Sequence, residues 1–146
     1  MTHALIYLSQ LTHPLDKEDV IEIATKAAVK NKKTGITGFL TARNNQFVQY
    51  LEGEKEPLAK LMAIIAADAR HDVLHTIHLI PAVPQFANWS MRYISSEDAT
   101  RATMDDRLIS TIQHISSADY DQKLIEAQVY TIINRISRIL YLPKLR

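Results

Sequence analysis

Between residues 4 and 94 the apolar pattern changes period again and again, from the two-residue rhythm of strands to the 3.6-residue rhythm of helices. A chain that alternates in this way buries its apolar faces by laying helices on a sheet. Ala4 to Leu8 is a continuous apolar run ending in Ser-Gln, which suits a buried strand. From about Asp16 to Lys30, the residues Val20, Ile23, Ala24, Ala27 and Ala28 share one helical stripe. Gly35 to Ala42 is too β-branched and glycine-punctuated for a helix and reads as a strand. It turns at Arg43-Asn44-Asn45, where asparagine tolerates positive φ, into a second strand from Gln46 to Leu51. A helix is expected from about Glu56 to Asp68, with Leu58, Leu61, Met62 and Ile65 inward. A strand is expected from His75 to Val83, with Pro81 and Pro84 marking its end or an edge, and one more from Trp89 to Ile94. The order β-α-β-β-α-β-β predicts an α+β, ferredoxin-like fold, a mixed sheet with two helices on one face, over residues 1–95.

Residues 96–146 differ in character. Ser95-Ser96-Glu97-Asp98 and Ser116-Ser117-Ala118-Asp119 each carry the Ser-x-x-acid spacing of a capping box. The first opens a stripe of Met104, Leu108, Ile112 and Ile115. The second opens a longer one through Ile125, Val129, Ile132, Ile133, Ile136, Ile139 and Leu140. So apolar a helix must cover the sheet face that the first two helices leave bare, or join a partner chain. This region reads as a C-terminal helical extension of the domain.

Composition narrows the function classes. Seventeen Lys and Arg against sixteen Asp and Glu leave a formal charge of +1, which gives no field for a general nucleic-acid or anionic-membrane binder. The absence of cysteine removes disulfides, a thiol nucleophile, iron–sulfur clusters and thiolate zinc sites. No apolar run approaches a membrane span, and Met1 to Leu5 has no signal-peptide character, so a cytoplasmic protein is expected.

Few residues offer chemistry. His75 and His78 would share a helical face, but in a strand they point to opposite faces, so no metal site is expected. His71, after Asp68 and Arg70, suits the closing of a helix end. Gly35-Ile36-Thr37-Gly38 could be a phosphate nest, yet a strand approached closely by another element explains it better. Glu52, Glu54 and Glu56 read as solvated charges, and the Asn88-Trp89-Ser90 sequon as chance. More informative are polar residues at core positions: Tyr7 among Leu5, Ile6 and Leu8, Gln49 on one face with Phe47 and Leu51, and Asn31 at the first helix's end. A buried glutamine without a partner costs about 1–3 kcal/mol. Either Tyr7 and Gln49 satisfy each other in the core, or they face a planar heteroaromatic ligand with an amide-like edge.

The blocks Leu5-Ile6-Tyr7-Leu8-Ser9-Gln10, Asn31 to Leu40, Phe47-Val48-Gln49-Tyr50-Leu51-Glu52-Gly53, Asp68-Ala69-Arg70-His71 and Phe86-Ala87-Asn88-Trp89-Ser90-Met91 occur in order over residues 4–94. Together they resemble the BLUF domain, the flavin-binding sensor of blue light. The resemblance implies FAD held without a covalent link between the two helices. It makes Tyr7 the electron and proton donor to the excited flavin. Gln49 becomes the carboxamide that bridges the two and then rotates or tautomerises, and Asn31 a binder of the pyrimidine edge. Trp89 and Met91 match a relay pair, of which the sequence does not say which lies beside Gln49. Asp68, Arg70 and His71 match the segment near the ribityl and phosphate part. Lys30 stands where relatives often carry His, Arg or Asn, and Ile64 where some place Arg, so Lys30 or Lys60 would have to meet the diphosphate.

The expected function is therefore a short, stand-alone blue-light photoreceptor, not itself an enzyme. It would signal through its C-terminal helices to a separate downstream protein or by homo-oligomerisation. The alternatives are a flavin-free oligomeric adaptor of the same fold and a small acylphosphatase-like hydrolase, whose phosphate loop is not found.

Overall fold

A computed structural model describes residues 2–43, 45–81, 83–95 and 122–141. The elements run β1 (His3–Leu11), α1 (Lys17–Thr34), β2 (Thr37–Arg43), β3 (Gln46–Gly53), α2 (Lys55–Ala67), β4 (His71–Leu79), β5 (Arg92–Tyr93) and α3 (Gln122–Tyr141). The sheet has five strands in the order β4-β1-β3-β2-β5. β1 pairs antiparallel with both β3 and β4, β2 antiparallel with β3, and β2 parallel with β5. Each helix-containing crossover thus skips one strand, β3 in the first and β1 in the second, which is the ferredoxin-like arrangement with one parallel edge strand added. The predicted helical stretch 97–115 lies outside the described residues.

Local chemistry sets the ends of the elements. Asp16 caps α1 by accepting from the Asp19 amide while the Asp19 side chain accepts from the Asp16 amide. Gly35, at φ 74°, stops the helix in the left-handed conformation, and the Asn31 carbonyl accepts from its amide. The helix therefore runs four residues beyond the expected Lys30. At Gly38 an added Cβ would lie 1.8 Å from the Tyr50 carbonyl oxygen, so this glycine serves a close strand approach and not a phosphate nest. β4 starts and ends four residues before the stretch read from sequence. Pro81 lies beyond its end, and a register shift opposite Leu8 and Ser9 breaks the alternation that would have shown its start. His75 pairs with Leu8 and His78 with Leu5, neighbours that face opposite ways, so the two histidines lie on opposite faces.

Two cores result. On one face α1 and α2 bury Leu5, Tyr7, Phe47, Leu51, Val20, Ala24 and Leu58. On the other, α3 sets Val129, Ile133 and Ile136 against Ile6, Leu8, Phe39, Tyr50, Ile77 and Phe86. Among the described residues no helix is long and apolar enough to cross a membrane.

A buried carboxamide site between the helices

Register creates the centre of the site. Tyr7 on β1 is directly opposite Gln49 on β3, and Leu40 on β2 is opposite Gln49 from the other side. Strand alternation turns all three toward α1 and α2. The Tyr7 hydroxyl donates to Gln49 Oε1, and Gln49 Nε2 donates to Met91 Sδ at 3.3 Å. Both side chains are buried, so each hydrogen bond replaces one that water would have supplied. Burial pushes the Tyr7 phenol well above its usual range; the nearby Asp68 carboxylate adds to this and the Arg70 guanidinium opposes it. Tyr7 is therefore a neutral donor.

Beside this pair lies a cavity of about 290 Å³ between α1 and α2. Its walls are apolar, from Ile23, Ala27, Leu40, Phe47, Ile64 and Ile65. Tyr7, Gln49, Asn31 and His71 supply polar groups, and Leu61, Lys26, Lys30, Asp68 and Arg70 complete the lining. Asn31 is buried and donates Nδ2 to the Ser90 carbonyl at 3.1 Å. Lys30, one residue earlier, is exposed. Asp68 and Arg70 are locked to each other at 2.6 Å, with Arg70 the more exposed. Hydrogen bonds from the Arg70 side chain and backbone hold the Asp68 carboxyl down at about 2. His71 is fully engaged within the chain: Nε2 donates to the Ile65 carbonyl at 2.7 Å, tying β4 to the end of α2, and Nδ1 meets Ser9 Oγ at 2.8 Å. Its ring also packs edge-on to Tyr7, with centroids 5.9 Å apart.

Met91 and Trp89 part company. Met91 lies beside Gln49, whereas Trp89 belongs to the opposite core, against Phe86 and under the Arg92 guanidinium. Sequence reading missed one residue altogether. Glu52, taken for a solvated charge, is 1% exposed on the α3 face. The signal was present, since Val48, Tyr50 and Glu52 alternate onto one side of β3.

The chain is similar in sequence and in fold to known proteins. Residues 2–92 match the family model for BLUF, sensors of blue light using FAD. The photoactivated adenylate cyclase subunit beta-like protein FB of Euglena gracilis is 30% identical over 118 residues, 79% of this chain. The chain spans only 14% of that relative's length. Among solved structures, BlsA in its photo-activated state superposes with a TM-score of 0.67 at 25% identity, covering all of this chain and 99% of that one. The dark-state structure of the BLUF protein BlrB gives 0.61 at 27% identity over 78% of this chain and 92% of its own. With the family model matching well over half of its residues, the chain belongs to the BLUF family of flavin-binding blue-light sensors.

Proposed function

We propose that this chain is an FAD-dependent blue-light photoreceptor in which Tyr7 and Gln49 are the photoactive pair. The observation that carries the reading is a tyrosine–carboxamide–thioether chain, Tyr7 to Gln49 to Met91, lining a cavity between two helices. The cavity fits the cofactor in kind. Apolar walls suit a planar ring, the Asn31 and Gln49 carboxamides suit its amide-like edge, and Lys26, Lys30 and Arg70 suit an anionic tail. Its volume of about 290 Å³ is at the small end for ligand sites, so Tyr7, Gln49 and Asn31 would hold a ring system there and Lys26, Lys30 and Arg70 would meet the anionic remainder.

When bound, the flavin supplies absorption of blue light and an excited state that draws an electron from a neighbouring phenol. Tyr7 is the phenol at the cavity wall, and being neutral it gives up its proton along with the electron. Gln49 is the acceptor of that hydroxyl's hydrogen bond, so it is the group whose preferred orientation changes when the phenol changes. Turning its carboxamide over exchanges Oε1 for Nε2. Tyr7 then faces a donor instead of an acceptor, and Met91 loses the donor it had. With Tyr7 again a neutral phenol, the rearranged Gln49 network would be the signalling state. Asn31 holds the ligand edge and the Ser90 carbonyl together. Lys30 and Arg70 serve the tail, with Asp68 fixing Arg70. His71 packs beside Tyr7 and holds the end of α2 over the cavity.

Within this reading the BLUF region is the sensor, and its output passes through α3 to a downstream protein or to a second copy. The test is spectroscopic. Tyr7→Phe and Gln49→Leu should each bind FAD and lose the light-induced red shift of its absorption. A normal red shift in either variant contradicts the assignment.

A further inference from the structure

Glu52 is a buried carboxylate held by four donors: the Thr37 hydroxyl at 3.2 Å, the Tyr50 hydroxyl at 3.1 Å, and the consecutive backbone amides of Gln85, at 2.8 Å, and Phe86. A carboxylate accepts at about four lone-pair sites, so the donors match its capacity. Each oxygen takes one hydroxyl and one of the two amides, which fixes the turn at 85–86 in both position and orientation. Charged acceptors make such bonds roughly twice as strong as neutral ones.

The segment that begins at this turn ends at the cavity. Its far end offers the Ser90 carbonyl to Asn31 and the Met91 sulfur to Gln49. Its near end meets α3, where Ser137 donates to the Gln85 carbonyl at 2.8 Å and Asn134 Nδ2 lies 3.5 Å from Gln85 Oε1. Between the ends there is little slack. The Trp89 amide donates to the Phe86 carbonyl, the Gly38 amide donates to the Trp89 carbonyl, and the Phe86 ring packs against Trp89 with centroids 4.9 Å apart. Residues 85–91 therefore form a strap from the two carboxamides on one face of the sheet to α3 on the other.

We propose that Glu52 is the positioning residue of this strap: by clamping the turn at 85–86 it keeps Gln85 in register with Ser137 and Asn134, so that strain set up at Ser90 and Met91 is passed to α3 and not lost in the turn. The inference rests on the light-sensor reading above. A carboxylate suits the role because it has one hydrogen-bonding pattern and cannot reverse it. A glutamine there would aim an NH₂ donor at a backbone or hydroxyl donor and release one half of the clamp.

The experiment compares hydrogen exchange across residues 122–141, in darkness and under blue light, for the full chain loaded with FAD, with absorption recorded on the same samples. The wild type should show the red shift and a light-dependent change of exchange in α3. Glu52→Gln should keep the full red shift, because Glu52 lies across the sheet from the cavity, and lose most of the α3 change. A merely structural glutamate would lower the Tm and leave the α3 change intact, and that result overturns the proposal. So does a wild type whose red shift is unaccompanied by any change in α3. Should Glu52→Gln not fold, Asn134→Ala combined with Ser137→Ala cuts the strap from α3 with the clamp intact. It should give the same loss with a normal red shift, and persistence of the α3 change overturns the proposal. A wild type with no red shift fails in the absorption channel instead; it refutes the light-sensor reading and the proposal with it.

Discussion

The two faces of the sheet are made by the same strands and bury polar groups in opposite ways. Toward α1 and α2, the carboxamides of Asn31 and Gln49 and the neutral phenol of Tyr7 border a cavity, with the buried Ser9–His71 pair beside them. Toward α3, the rings of Phe39, Tyr50 and Phe86 pack at centroid distances of 5.2–5.8 Å around the carboxylate of Glu52. A carboxamide carries a donor and an acceptor and exchanges them by turning over, whereas a carboxylate only accepts. One face is thus built from groups with two settings and the other from a group with one. A receptor that must convert a local rearrangement into motion elsewhere needs both, a part that changes and a part that holds.

The largest effect that can break this comparison is Phe86→Ala. Phe86 is completely buried, and its truncation should cost about 3–5 kcal/mol in urea unfolding. The folded variant should still bind FAD and shift to the red. Loss of the shift in a folded Phe86→Ala protein would mean that the two faces are not separable.

A smaller effect sharpens the polar face. Met91→Leu keeps the apolar volume and removes the sulfur acceptor of Gln49. A hydrogen bond of about 0.5–1.5 kcal/mol corresponds to about two- to tenfold in rate. Loss of the dark-state acceptor should slow dark recovery by that factor, measured as the decay of the red-shifted absorption. Unchanged recovery would detach Met91 from the switch.

The smallest effect is electrostatic. Arg70 holds the Asp68 carboxyl at about 2, below its ordinary 3.8. A group whose folded pKa is depressed stabilises the fold above its unfolded value, and that contribution fades as pH falls from about 4 toward 2. Wild type and Asp68→Asn should therefore differ in Tm at neutral pH and converge in acid. The difference should be small, because the pair is partly exposed. A gap that stays constant from neutral pH down to about 2 would contradict it.

Much of this was legible in the residues themselves. Strand alternation alone set Gln49 on one face with Phe47 and Leu51, and the stripe from Val20 to Ala28 gave α1 an apolar side to lay on the sheet. The chemistry of the pair came from the resemblance, because a tyrosine and a glutamine in a core are equally consistent with simple mutual satisfaction. Glu52 was hidden by its neighbours. It precedes Gly53, Glu54 and Glu56, so it read as part of a solvated run, although its alternation with Val48 and Tyr50 turned it inward. The start of β4 was hidden by the register shift opposite Leu8 and Ser9, which interrupts the period that marks a strand. The opposite fates of Trp89 and Met91 were not readable, since the segment leading to β5 has no regular period and its direction is set by hydrogen bonds to Glu52, Gly38 and Asn31.

The central claim is that the cavity beside Tyr7 and Gln49 holds a flavin whose colour reports the turning of a carboxamide. The most direct test is the absorption spectrum of the purified full chain supplied with FAD, in darkness and then under blue light. The expected result is an oxidised flavin spectrum that moves to the red without bleaching and returns in the dark. A protein that takes up no FAD, or one whose flavin bleaches without shifting, would contradict it.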